Sequence, residues 1–152
     1  MTTTIPPRQT TEQRRAAHAW SVIAEIVRKY PHRIENGKQI PDKRAKNYGH
    51  QLKDLPTRIL AAGLGQTLAF LWAKRDEQTE ELLRRLSDWV LDKRPNAGST
   101  KAVPEPQALI RAIIADSADA MLLRRATEES LAYLQWLKRF AEAEGLTKGD
   151  DA

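Results

Sequence analysis

Apolar residues in this chain recur at steps of three and four, the spacing that gathers side chains on one face of a helix. Ala16, Trp20, Ile23, Val27 and Tyr30 form the first such stripe and predict the inward face of an opening helix. Arg14, His18, Ser21, Glu25 and Arg28 repeat the same steps on a polar face. Thr10 and Gln13 stand at capping-box spacing, so the helix should begin near Thr10. Pro31 ends it, and residues 31–41 read as a loop around Asn36-Gly37. A second helix opens after Pro41-Asp42 with Ala45, Tyr48, Leu52, Leu55 and Ile59 on its apolar side. Pro56 within it predicts a kink or a break. After Gly63, the nearly continuous apolar run Leu64 to Trp72 predicts a helix at the centre of the core, closed by Lys74-Arg75.

A fourth helix is predicted from about Glu77 to Lys93, with Leu82, Leu86 and Trp89 inside. Residues 93–106 have the composition of a flexible internal linker. A short helix from Pro106 to Ile114 follows. A long one then runs from about Asp119 to Glu144, with Leu123, Leu131, Leu134, Leu137 and Ala141 inward and Tyr133, Trp136 and Phe140 flanking. Gly145 is a natural stop, and residues 1–9 and 146–152 should fray. Ala (21) and Leu (17) far outnumber Ile (9) and Val (4), the balance helices favour over strands. The fold class expected is therefore all-α: a single compact bundle of about six helices, one domain over residues 1–152.

Charge adds a functional direction. The net charge is +5, and it is concentrated early: 12 Lys/Arg against 5 Asp/Glu through Ala62, but 7 against 9 from Lys101 onward. Lys43, Lys46, His50 and Lys53 share one stripe of the second helix, roughly opposite its apolar face. A basic stripe can track a phosphate backbone, although a solvated helix face has the same appearance. No cysteine is present, which excludes disulfides and thiolate chemistry and fits a reducing cytoplasm. No apolar run reaches the ~20 residues of a membrane helix, and the first nine residues lack the apolar core of a secretory signal. The carboxylate pairs Asp88/Asp92 and Asp116/Asp119 have no third ligand nearby in sequence. The run Gly63 to Thr67 lacks the ending of a phosphate-binding loop. No catalytic residue, metal or cofactor is therefore expected. Two alternatives remain open. One is a stand-alone ribonuclease or toxin using His18 and His50, should the first two helices lie side by side. The other is a helix-turn-helix DNA binder, which the lysines around Pro56 suit less well.

Two segments resemble a known family: Tyr48 to Lys74 (YGHQLKDLPTRILAAGLGQTLAFLWAK) and Leu123 to Ala143 (LRRATEESLAYLQWLKRFAEA). The matching features are Tyr48, Leu55-Pro56, the stretch Gly63 to Lys74, and Trp136 to Glu142. Together they resemble the small helical subunit of the type III-B (Cmr) CRISPR effector complex. The resemblance implies an all-α, non-catalytic protein stacked in several copies along the path where guide RNA pairs with target RNA, in antiviral defence. It implies as partners guide RNA, target RNA, the backbone and large subunits of the complex, and further copies of the chain. Leu64, Leu68, Phe70, Trp136 and Phe140 would then be structural. The residues expected to face RNA are Arg14, Arg15, Lys43, Lys46, Lys53, Arg58 and Lys74; only the last three lie in the matched stretch, and the others rest on charge and periodicity.

Overall fold

The computed structural model describes residues 8–91 and 103–148. Six helices and one short hairpin succeed one another: α1 (Thr11–Lys29), β1 (Arg33–Glu35), β2 (Lys38–Ile40), α2 (Lys43–Ala62), α3 (Leu64–Lys74), α4 (Glu77–Leu91), α5 (Ala108–Ile114) and α6 (Ala120–Ala143). α6 is the hub, packing on α1, α2, α4 and α5, while α3 closes against α2, α4 and α5. The expected all-α architecture stands. No helix among the described residues is long and apolar enough to cross a membrane. Most of the linker expected at 93–106 lies outside the described residues; of its end, Pro106 is buried.

The helix starts follow from their caps. The Thr10 hydroxyl accepts from the Gln13 backbone N–H, and the Gln13 side chain accepts from the Thr10 N–H. Two orphan donors are thereby satisfied reciprocally. The Asp42 and Asp119 carboxylates likewise accept backbone N–H groups at the starts of α2 and α6. The segment read as a loop is instead a hairpin, in which Glu35 pairs with Lys38 across Asn36-Gly37. Both turn residues have positive φ, 52° and 75°, the geometry of the two-residue turn that Asn-Gly favours.

Pro56 does not divide α2: one helix runs from Lys43 to Ala62. Proline inside a helix costs ~3 kcal/mol, but Leu52, Leu55 and Ile59 are each at most 2% exposed. Burying each of them is worth roughly 1.5–3 kcal/mol, so packing outweighs the lost backbone bond. The interruption comes at Gly63, whose φ of 90° lets α2 turn directly into α3.

Two stripes are rotated from their expected phase. α1 buries Ala19, Val22, Ile23, Ile26 and Tyr30, leaving Trp20 60% exposed with its ring edge-on to Phe140. α6 buries Ala126, Glu129, Ser130, Tyr133, Leu134, Leu137 and Ala141. Leu123 is 42% exposed rather than inward, and Tyr133 is wholly buried rather than flanking. The reason is that Glu129 and Ser130 face inward, which moves the true stripe off the purely apolar one. α3 is not enclosed on all sides either: Leu64, Thr67, Leu68 and Leu71 are buried, but Phe70 is on the surface. Leu146, expected in the fraying tail, is fully buried. Gly145 turns the chain at φ 77°, and the Leu146 N–H reaches back to the Ala141 carbonyl.

Tyr48 and Tyr133 are both fully buried, and burial pushes both phenols above their ordinary pKa. The Tyr48 hydroxyl has no hydrogen-bond partner. When a folded pKa exceeds the unfolded one, the folded state holds its proton longer, so stability falls as pH rises past the unfolded value near ~10. We expect flat stability up to about pH 9 and then a loss approaching ~1.4 kcal/mol per pH unit for each tyrosine. In a Tyr30→Phe background, helical circular dichroism and tyrosinate absorbance followed together should change in one transition, and Tyr48→Phe should halve its steepness. Tyrosinate appearing while the helices persist would refute this.

Candidate nucleic-acid interface

The seven cations expected to face RNA do not form one surface. Arg15 is turned inward. Its Nε and one terminal nitrogen donate to the two oxygens of Glu129 at 2.9 Å each, and it also pairs with Glu12. The hydrogen bonds to Glu129 hold the guanidinium above its ordinary pKa against the opposing effect of burial. Glu129 additionally accepts the Trp89 indole N–H at 2.7 Å. Arg15 is therefore a tie between α1 and α6, its guanidinium engaged by carboxylates rather than directed outward as expected. Arg14 lies on α1, away from the other five, and donates to neutral acceptors, the Gln9 carbonyl and the Thr11 hydroxyl.

The remaining five lie on α2 and α3. Lys43 and Lys53 are exposed on the outward face of α2. Lys46 is half-buried beside Glu142, Glu144 and Lys148, in a shallow recess at the C-terminal end of α6. His50 donates from Nε2 to the Lys148 carbonyl at 3.0 Å, so this member of the basic stripe pins the end of the described chain. Arg58 and Lys74 converge on Phe70. The guanidinium carbon sits 4.0 Å and the ammonium nitrogen 4.8 Å from the ring centroid. Lys74 also donates to the Gln51 side-chain oxygen at 2.7 Å. One step along the chain, Arg75 lies 4.4 Å over the Trp72 ring.

Phe70, expected in the core, is instead 41% exposed. Its apolar neighbours in sequence conceal this. The spacing that points to the surface is Phe70 to Lys74, one helical turn apart. Arg58, Lys74 and Arg75 are steadied by aromatic rings rather than by carboxylates. Several cations elsewhere are paired with carboxylates, as in Arg44–Asp42, Lys29–Glu77 and Arg85–Glu81.

The histidines are not brought into one site. α1 and α2 each pack chiefly on α6 rather than on each other. His18 bridges α4 and α6, its Nε2 2.8 Å from an Asp88 oxygen and its Nδ1 2.6 Å from the Tyr133 hydroxyl. A neutral ring satisfies both bonds by donating to Asp88 and accepting from Tyr133. The ring is thus oriented, but by structural partners. Asp92, the other half of the first carboxylate pair, lies outside the described residues. Asp119, from the second pair, caps α6. Among the described residues no cluster of three or more His, Asp or Glu could hold a metal ion.

The family described as CRISPR-associated protein (Cas_Cmr5) matches residues 11–144 of this chain. Among solved structures, the fold is similar to the crystal structure of a CRISPR-associated Cmr5 family protein from Thermus thermophilus. The TM-score is 0.64 at 24% identity, covering 90% of this chain and 97% of that one. At that identity the likeness speaks to the fold alone.

Proposed function

The chain belongs to the Cas_Cmr5 family of CRISPR-associated proteins, and from that premise we propose that it is the non-catalytic small subunit of a type III-B (Cmr) effector complex, working in the cytoplasm in antiviral defence. Several copies stack along the path of guide RNA and target RNA, beside the backbone and large subunits, and the outward surface of α2 and α3 supplies contacts to RNA. The observation that supports this reading best is the set Lys43, Lys53, Arg58, Lys74 and Arg75. These five cations lie on or directly beside two consecutive helices, and the contacts of Arg58, Lys74 and Arg75 are to aromatic rings and an amide. Positive charge that a protein leaves unneutralised is available to a polyanion, and lysine and arginine without base-edge readers suit phosphates.

The test is to replace Lys43, Lys53, Arg58 and Lys74 together by alanine and to titrate labelled single-stranded RNA across a salt series. The quadruple variant should keep its melting temperature. The slope of log affinity against log salt should shrink by ~0.7 for each phosphate contact removed, up to roughly 3 in all. An unchanged slope, or failure of the unaltered protein to join a reconstituted Cmr complex, would overturn the reading.

A further inference from the structure

Phe70 poses a physical question. A large apolar ring near the middle of a helix is left 41% exposed, although the run around it is apolar enough to bury it. Burial of such a ring is ordinarily favourable. In place of core contacts the ring takes two cations from different helices, Arg58 of α2 and Lys74 of α3. Like charges repel, and long side chains normally spread apart in water. Here both charged groups are drawn to within 4.8 Å of one ring centroid. The electron-rich face of the ring attracts each cation, and the Gln51 oxygen fixes the ammonium further. The result is a doubly positive site whose two cations are already placed together before any ligand arrives, and such preorganisation improves affinity.

We infer that Phe70, Arg58 and Lys74 form one built seat for the phosphodiester backbone of an RNA strand, with Phe70 as the positioning residue that holds the two cations together. The inference rests on the RNA-path reading and sharpens it. Among the cations of α2 and α3, this pair is organised for contact, while Lys43 and Lys53 contribute only diffuse charge. Phosphate rather than base is the occupant, because the cations already take the ring that a base would stack on. The planar fork of Arg58 matches two phosphate oxygens, and Lys74 serves as a point charge beside it.

The experiment separates position from charge. Full-length protein, Phe70→Ala, Phe70→Leu, Arg58→Ala/Lys74→Ala and Lys43→Ala/Lys53→Ala are titrated with labelled single-stranded RNA over a salt series, with thermal melts as a folding check. Phe70→Ala and Phe70→Leu leave net charge unchanged, yet each should weaken binding by about three- to tenfold, the order expected from two exposed cation–ring contacts. The Arg58/Lys74 double variant should lower the salt slope by ~1.4, and Phe70→Ala should then add nothing to it. A strand of the same length carrying abasic sites should keep the same dependence on Phe70. Loss of that dependence would make the site a base platform and overturn the phosphate assignment. Phe70→Leu binding like the unaltered protein while Phe70→Ala is weak would show that the ring only packs, and would overturn its positioning role. Full affinity in both Phe70 variants, with weakened Lys43/Lys53 binding, would overturn the seat while leaving RNA contact by the subunit intact. No binding by any protein at low salt would remove both.

Discussion

Glu129→Ala should lower the melting temperature by about 6–12 °C, the shift ~3 kcal/mol produces in a chain of this length. One buried carboxylate serves donors from two other helices: it takes both arms of Arg15 from α1 and the Trp89 indole from α4. Glu129 is 9% exposed, and the Arg15 side chain only 12%. Removing the acceptor leaves a largely covered guanidinium and a buried indole N–H, and breaking such a pair typically costs ~3–5 kcal/mol. The lower end applies because Arg15 keeps Glu12. Glu129→Gln retains one acceptor oxygen and should cost about half as much. The penalty is that of an orphaned charge, so Arg15→Met in the Glu129→Ala background should recover part of it. Thermal and urea unfolding of the four proteins measure each step. A Glu129→Ala midpoint indistinguishable from the original would mean the carboxylate contributes nothing to stability.

Gly49→Ala should be comparably damaging, for a steric reason. Gly49 lies in the middle of α2, where glycine is normally a liability of ~1 kcal/mol against alanine. Here a methyl group would collide with the Leu146 carbonyl oxygen and stand 2.6 Å from its carbon. Those are backbone atoms, and they cannot swing aside. Leu146 is itself fixed by the bond to Ala141 and, through Gly145, by one to Glu142. We expect a loss of about 3 kcal/mol, the upper part of the range for overpacking. The loss should come with early hydrogen exchange at the Leu146 amide. In a chain ending at Glu144 the obstructing carbonyl is gone, so the same substitution should cost almost nothing. Equal cost in both backgrounds would place the strain elsewhere.

These two sites mark where the sequence is legible and where it is not. The α2 stripe, from Ala45 to Ile59, is apolar at every inward position, and each of its five residues is buried as its spacing indicates. The cap at Thr10 is equally local and equally readable. α1 and α6 depart from their apolar phase because His18, Arg15, Glu129 and Tyr133 link them through polar contacts. Polar groups that bury only when their partners arrive from distant parts of the chain leave no trace in hydrophobic periodicity. Pro56 misleads in the opposite direction, a strong local signal overridden by the packing of its neighbours. At the candidate interface, Arg58 and Lys74 are identifiable by charge. Arg15 has the same charge but is turned inward onto Glu129, and Phe70 is exposed although its neighbours Leu68 and Leu71 are buried. Only the fold distinguishes them.

The hub position of α6 also sets an order of events during synthesis. The ribosome delivers the amino end first, and α1 emerges more than a hundred residues ahead of the helix it packs on most extensively. Until then the Ala19, Val22, Ile23 and Ile26 face of α1 has no α6 to cover it, and its arginine waits for Glu129. The nascent chain can form helices as it lengthens, but it cannot close around its hub until α6 itself has been synthesised. A prematurely terminated chain lacking α6 therefore presents its inner faces to solvent, as a ready substrate for chaperones and proteases.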